Sequence, residues 1–296
     1  MNLNKKNFFV WACDYDDNTG EGKLARLYIN YYFKYDTIEI FTPFKIFINR
    51  PLLQYRYITP FLGIVFCWMA YFKKRRIVYI NYLPFWNFLI FLLLPPKTII
   101  GPITGGAKYK NSKIRKFLFP VFYKISEIIV YFRYKNIIFA TDLLKDYLNN
   151  NFLRKADFNF ILRVLKNKKT NCIKKEIDFL IYYRNHPNKK KFFPFNFIKK
   201  LIAMDYNVCV FGDKLFINRV KNLGKISNKT VNKLLAKTHY SIASGENNLS
   251  IFTLECINNK VKILTDSKFI IKHNQLKNNF IYINYSSVNL SHKLKF

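Results

Sequence analysis

Short apolar runs alternate along this chain with longer segments of helical periodicity, and the alternation stops once and then restarts. Strand-like runs at 7–13, 36–41, 76–81, 97–101 and 136–140 are interleaved with helical patterns at 22–34, 54–72, 84–94, 113–132 and 141–149. One more strand-like run, DFNFILRV at 157–164, precedes the polar stretch LKNKKTNCIKKE, which reads as a linker. Beyond it, strands are expected at 177–183, 207–211, 239–243 and 261–264, with helices near 192–204, 227–237 and 248–258. Alternation of this kind builds βαβ units around a parallel sheet. Two such series predict an α/β chain of two facing Rossmann-like domains, 1–168 and 169–296. Doubly wound sheets take ligands at the carboxyl ends of their strands, so the cleft between the domains is the expected active site.

Charge narrows the choice of partner. The formal net charge is +33, from 50 Lys and Arg against 17 Asp and Glu. Lys, Asn, Ile and Phe share A/T-rich codons, so base composition accounts for some of this excess. Its distribution is more telling: no acid falls between Glu39 and Glu127, while that gap holds 14 Lys and Arg, including Lys73, Lys74, Arg75 and Arg76. Like charges without counter-charges favour an anionic partner: nucleic acid, a membrane surface or a phosphorylated substrate. The five cysteines are scattered without metal-ligand spacing, which fits a reducing cytoplasm. The N-terminal stretch does not read as a signal peptide. The uncharged segments 57–72 and 77–96 are read as buried elements, the second being broken by Pro84 and ended by Pro95 and Pro96.

Three stretches carry candidate chemistry. The first strand runs into ACDYDDNTGEGKLARLY, where Gly20 and Gly22 flank Glu21 at the start of a helical pattern. Glycines let backbone amides approach a ligand, and a helix N-terminus favours an anion, although Asn-Thr-Gly also makes an ordinary turn. Asp14 and Asp16 form a D-x-D, read as a chance pair rather than a metal site. The second stretch, IIGPITGGAKYK, sets Thr104, Gly105 and Gly106 at the carboxyl end of the fourth strand, as an acceptor-side loop. The third lies in the second half. Arg184 ends that half's first strand, Lys189 follows, and the later turn Ser244, Gly245, Glu246, Asn247, Asn248 leads into a helix carrying Glu255. A carboxylate on such a helix can accept two sugar hydroxyl protons.

On these residues the chain resembles GT-B-fold nucleotide-sugar glycosyltransferases, most closely the large retaining group. In that group a Gly-rich loop follows the first strand, as NTGEG does here. The second domain's first strand ends in Gly-Arg with Lys five residues on, which corresponds to Tyr183, Arg184 and Lys189 with Tyr in the Gly position. The resemblance implies that Arg184 and Lys189, with Gly20 and Gly22, bind the donor diphosphate. It further implies that Glu255, together with Glu246, Asn247 and Asn248, binds the nucleotide and sugar. The group's late motif has two Glu separated by seven residues; Asn247 stands seven before Glu255, and Glu246 is one residue too early. The His that often faces the reacting sugar has no counterpart, because no His precedes His186.

The function so implied is transfer of a sugar from a nucleotide-sugar donor to a saccharide or lipid-linked saccharide acceptor in surface-polysaccharide assembly. A retaining outcome follows from the resemblance. An inverting enzyme would need a base, which Asp14, Asp16, Asp17 or Glu21 could supply, and Glu21 and Asp16 are the catalytic candidates. No metal and no cofactor are expected, the nucleotide sugar being a substrate. The basic segment 40–126, with the aromatic runs around Trp68 and Trp86, predicts a peripheral protein on an anionic cytoplasmic membrane face. Two alternatives stay open: a basic nucleic-acid-binding protein, against which the aromatics lie in apolar runs with no RNA-binding signature, and an inactive protein of the same fold.

Overall fold

The computed structural model describes residues 7–46, 54, 57–104, 113–142, 144–165, 174–186, 190, 192–243, 249–267 and 274–286. The chain divides into two compact units, Met1–Val164 and Leu165–Phe296. Both are α/β, and every strand pair in them is parallel.

In the first unit, β1 (Asn7–Ala12), β2 (Thr37–Phe41), β3 (Arg76–Ile80) and β4 (Ile99–Ile100) form a sheet in the order β2-β1-β3-β4. A smaller pair, β5 (Ile137–Ile138) and β6 (Ala156–Asp157), continues it beyond β4. The link is Ile103, whose N–H donates to Ile138 O at 2.7 Å and whose carbonyl accepts from Ala140 N at 3.0 Å. β1 is apolar on both faces because both are covered. On one face Phe9 and Trp11 join a core with α3 (Thr59–Phe72), α4 (Phe88–Leu93) and α5 (Lys113–Arg133). On the other, α1 (Gly20–Tyr32) buries Leu24, Ala25, Tyr28 and Ile29. Gly63 permits the close approach of α3 to the sheet, since a Cβ there would lie 2.2 Å from Trp11 Nε1. A short α2 (Pro43–Ile46) follows β2, and α6 (Asn150–Lys155) and α7 (Phe160–Leu165) flank β6.

In the second unit the order is β12-β11-β10-β7-β8-β9, formed by β7 (Ile177–Tyr183), β8 (Val208–Gly212), β9 (Lys221–Asn222), β10 (Thr238–Ile242), β11 (Lys262–Asp266) and β12 (Phe280–Ile283). Renumbered within the unit this is 3-2-1-4-5-6 reversed, the doubly wound dinucleotide-fold order. The helices are α8 (Phe195–Ala203), α9 (Asn228–Ala236) and α10 (Ile251–Asn258). Phe197, Ile198 and Leu201 of α8 close a core over Phe179, Ile181 and Val210.

The expected α/β class with two Rossmann-like units is found. Two element expectations are corrected. Residues 157–164 are not a strand: only Ala156 and Asp157 pair with β5, and α7 begins at Phe160. Asp157 drives the change, accepting from Asn159 N at 2.9 Å and pairing with Arg163 one turn into the helix. Residues 141–149 hold a 3-10 turn at Lys145–Tyr147, and the helix starts at Asn150, capped by Asn149 accepting from Phe152 N. The apolar segments 57–72 and 77–96 become α3, and β3 with α4. Among the described residues no helix is long and apolar enough to cross a membrane.

Candidate functional site

Each sheet has one point where the chain reverses its direction of travel across the strands. In the first unit it lies between β1 and β3, and the residues leaving those two strands meet there. Cys13 N donates to Ile80 O at 3.3 Å, and Asp14 and Asn81 follow immediately. Asp14 is buried, and its carboxylate folds the loop back on itself: Oδ1 accepts from Asp16 N at 2.9 Å and Oδ2 from the Thr19 hydroxyl at 2.8 Å. Thr19 then caps α1 by accepting from Gly22 N at 2.9 Å. Gly22 has no substitute, because a Cβ would lie 2.0 Å from Asp16 O. Gly20 faces open space within 4 Å. The loop that the sequence marked as Gly-rich therefore splits its roles. Gly22 packs the helix under the loop, and Gly20 leaves room above it.

Asn81 completes this knot. It is fully buried at φ 69°, and its amide donates to Asp14 O at 2.5 Å and to Glu21 O at 2.9 Å. These bonds tie the end of β3 to the loop after β1 and to the first turn of α1. Glu21 sits inside the knot with its Oε2 buried and unpartnered among the described residues. Burial first, then the charge of Asp14, pushes its carboxyl from 4.5 up to about 7, and a Tyr82 backbone N–H pulls the other way. A carboxyl held near neutrality can take or give a proton at working pH. Asp16 is different: it is exposed and spends its carboxylate on Asn18, accepting from the backbone N at 2.9 Å and from the side-chain amide at 3.1 Å. Thr104 bridges to Pro84, its N–H donating to Leu83 O at 3.2 Å, so it sits on the same edge of the sheet as the end of β3. Gly105 and Gly106 lie outside the described residues.

In the second unit the reversal lies between β7 and β10. Arg184 follows β7 directly, is exposed, and makes no ion pair among the described residues. The loop floor beside it is fixed by Asp213, whose carboxylate accepts from Asn185 N at 2.7 Å and whose N–H donates to Tyr183 O at 3.0 Å. Gly212 allows this, at φ +103° with a virtual Cβ 2.2 Å from Tyr183 O. Next to Arg184, Tyr182 packs with Phe211 at the end of β8 and with Phe252 on α10, ring centroids 5.2 and 6.1 Å away. Burial raises the Tyr182 phenol, Arg184 lowers it and Asp213 raises it further.

β10 ends at Ile242, and α10 starts nine residues later at Ile251, capped by Ser250 accepting from Thr253 N at 3.2 Å. The intervening turn, with Glu246, Asn247 and Asn248, lies outside the described residues, as does Lys189. Glu255 is half-buried on α10, three residues after Phe252 and so on the same helix face. The element order thus brings Arg184, the aromatic trio and the helix bearing Glu255 to one end of one sheet.

Sequence reasoning missed Asn81 and the trio of Tyr182, Phe211 and Phe252. Asn81 did leave a signal: a lone amide closing the wholly apolar run IVYI just before YLP. The trio left none, since its members are far apart in sequence and each is unremarkable in an apolar run.

No family model matches the chain, and no curated protein matches it. Among solved structures it is similar to Anabaena HepE with UDP and glucose, at 10% identity over 88% of this chain and 80% of that one, TM-score 0.49. It is also similar to a UDP-GlcNAc 2-epimerase from Methanocaldococcus jannaschii with UDP-GlcNAc and UDP, at 8% identity over 95% and 89%, TM-score 0.48. A third similar structure is the phage T4 BGT with UDP and Mn2+, at 10% identity over 93% and 85%, TM-score 0.47.

Proposed function

We propose that the protein is a glycosyltransferase that moves a sugar from a nucleotide-sugar donor to a lipid-linked saccharide on the cytoplasmic face of a membrane, in surface-polysaccharide assembly. The observation that carries the reading is the end of the second sheet, where the exposed cation Arg184 leaves β7 beside the start of α10. Departure of a nucleoside diphosphate needs little covalent help. It needs cations and amides fixed where the charge develops. In this reading Arg184 and Lys189 hold the diphosphate, Glu246, Asn247 and Asn248 join in binding the nucleotide and sugar, and Glu255 accepts from the ribose hydroxyls. The ring of Tyr182, Phe211 and Phe252 supplies an apolar wall for the base.

The bond from the sugar's anomeric carbon to the diphosphate oxygen breaks, its electron pair leaving with the diphosphate. A bond from the acceptor hydroxyl oxygen to that carbon forms as its O–H bond breaks, the proton passing to the departing diphosphate oxygen when no base takes it. The retaining outcome belongs to this reading through the resemblance alone. One observation favours inversion instead: Glu21, a buried carboxyl poised near neutrality, could receive the acceptor's hydroxyl proton.

Turnover of the Arg184→Ala, Lys189→Ala double variant tests the assignment. Each change removes a charge-assisted contact, so the pair should slow transfer at least ~100-fold, about 3 kcal/mol in the barrier, with the fold intact. Wild-type turnover in the folded variant would refute it.

A further inference from the structure

Helices α3, α4 and α5 cover one face of the first sheet and are bound edge to edge. Trp68 Nε1 of α3 donates to Leu93 O of α4 at 2.8 Å, and Arg133 of α5 donates to the carbonyls of Phe91, Leu92 and Leu94, capping α4. Trp86 stacks on Phe119 of α5 with centroids 5.4 Å apart. Both Trp68 and Trp86 are half-buried by this packing, so the tryptophans singled out in the sequence serve mainly to join the layer.

The outer side of the layer is apolar even so. On α3, Phe61, Val65, Met69 and Phe72 are exposed at helical spacing, Phe72 to 75%. Leu92 and Leu93 are exposed on α4 beside them, and Phe117, Val121 and Phe132 are exposed along one side of α5, Phe132 to 81%. Single exposed apolar side chains are ordinary, but three adjacent stripes on helices packed side by side make one face, and such faces bind something. Its rim is basic: Lys73, Lys74 and Arg76 are exposed after α3, and Lys97 is exposed after α4. The segment from 40 to 126 supplies no acid to offset them.

We propose that this face docks on an anionic lipid bilayer, with the stripes of α3, α4 and α5 in the interface and the basic rim on the headgroup phosphates. A bilayer presents an apolar interior bordered by a continuous negative layer, and an apolar centre rimmed by Lys73, Lys74, Arg76 and Lys97 matches that profile, the nearby Glu39 being paired with Arg75. A second copy of the chain would bring two basic rims together, which like-charge repulsion opposes. Docking is interfacial, because among the described residues no helix can span. The inference deepens the acceptor side of the proposed function, and its readout is independent of the donor. A chain that binds nucleotide sugar but not vesicles overturns the docking face and the membrane placement while leaving sugar transfer standing, and the converse overturns only the transferase.

Co-sedimentation with phosphatidylglycerol or phosphatidylcholine vesicles tests it on the full chain. The wild type should pellet at least ~10-fold more with the anionic vesicles at low salt, and lose that binding toward about 500 mM salt. Phe61→Ser with Phe72→Ser and Phe132→Ser should lower anionic-vesicle binding at least ~10-fold, and so should Lys73→Glu with Lys74→Glu. In case the serine variant folds poorly, an environment-sensitive dye is attached to Met69→Cys in a Cys172→Ser chain; the other four cysteines are buried. Its emission should shift to the blue on anionic vesicles, while the same dye on Tyr35→Cys, just beyond α1 on the opposite layer, should not shift. A wild type that stays in the supernatant overturns the proposal. So does a position 69 dye that never shifts, a folded serine variant that binds as the wild type does, or a vesicle-free dimer that the serine changes dissociate.

Discussion

At the scale of residues, Glu21 is a carboxyl held where its charged form is disfavoured. Burial and the charge of Asp14 raise its carboxyl from 4.5 to about 7, so the folded state holds the proton more tightly than the unfolded chain. A carboxyl raised in this sense stabilises the fold least where it is ionised. The contribution is lost as pH climbs from 4.5 toward 7 and stays lost above. The Glu21 contribution should therefore fall by about 3 kcal/mol across that window, so the difference in stability between wild type and Glu21→Gln should change in that sense between denaturant melts at pH 5 and pH 8. The kinetic corollary separates the two stereochemical readings. If Glu21 is the base, kcat/KM rises with pH through about 7 and Glu21→Gln abolishes the rise. If the enzyme retains configuration without a base, the glutamine variant keeps its profile and loses only the stability decline. From the sequence, Glu21 and Asp16 were the catalytic candidates, with Asp14 and Asp17 as further possible bases. The tie that binds the Asp14 and Glu21 backbones was not legible, because it runs through Asn81, which reaches them across 60 residues or more of sequence.

At the scale of elements, the end of each strand matters more than its length. β7 was read from sequence at its observed bounds, and the strands β1, β3, β8, β10 and β11 within a residue or two, because each is buried over most of its length. The failures are short edge elements. β9 is two exposed residues, Lys221 and Asn222, held by register alone, and β12 is four residues amid Asn-rich sequence with only its ends buried. Neither has a periodicity long enough to read. The run 157–164 misled for the opposite reason, an apolar pattern that one Asp-Arg pair turns into a helix start. On α10, Glu255 shares a face with Phe252, whereas Glu246 precedes the helix and its Ser250 cap. Glu255→Gln should therefore weaken donor binding more than Glu246→Gln, by about 1–3 kcal/mol for a hydroxyl acceptor lost from a dry site. Calorimetry on the two variants decides the order, and the reverse order would move the ribose contact to the turn.

At the scale of the whole molecule, two parallel α/β units follow one another, and the second carries the doubly wound order whose reversal point takes nucleotides and their relatives. The two α/β units were legible from alternation alone, since that needs only the type and sequence of elements; the strand order was not. The basic excess was legible too, but its meaning needed the structure. The acid-free segment contains the exposed apolar stripes of α3 and α4 and much of α5. The central claim is that Arg184 and its neighbours at the end of the second sheet bind a nucleotide-sugar donor. The most direct measurement is the melting temperature of the full chain, and of its Arg184→Ala variant, against UDP-, GDP-, ADP- and CMP-sugars. A ligand at about 100 times its Kd adds about 2.7 kcal/mol to stability, a shift of several degrees in a chain of this size. The account predicts that one nucleotide class raises the wild-type melting temperature and that Arg184→Ala removes most of the shift. No shift with any of the four, or an undiminished shift in the variant, would contradict it.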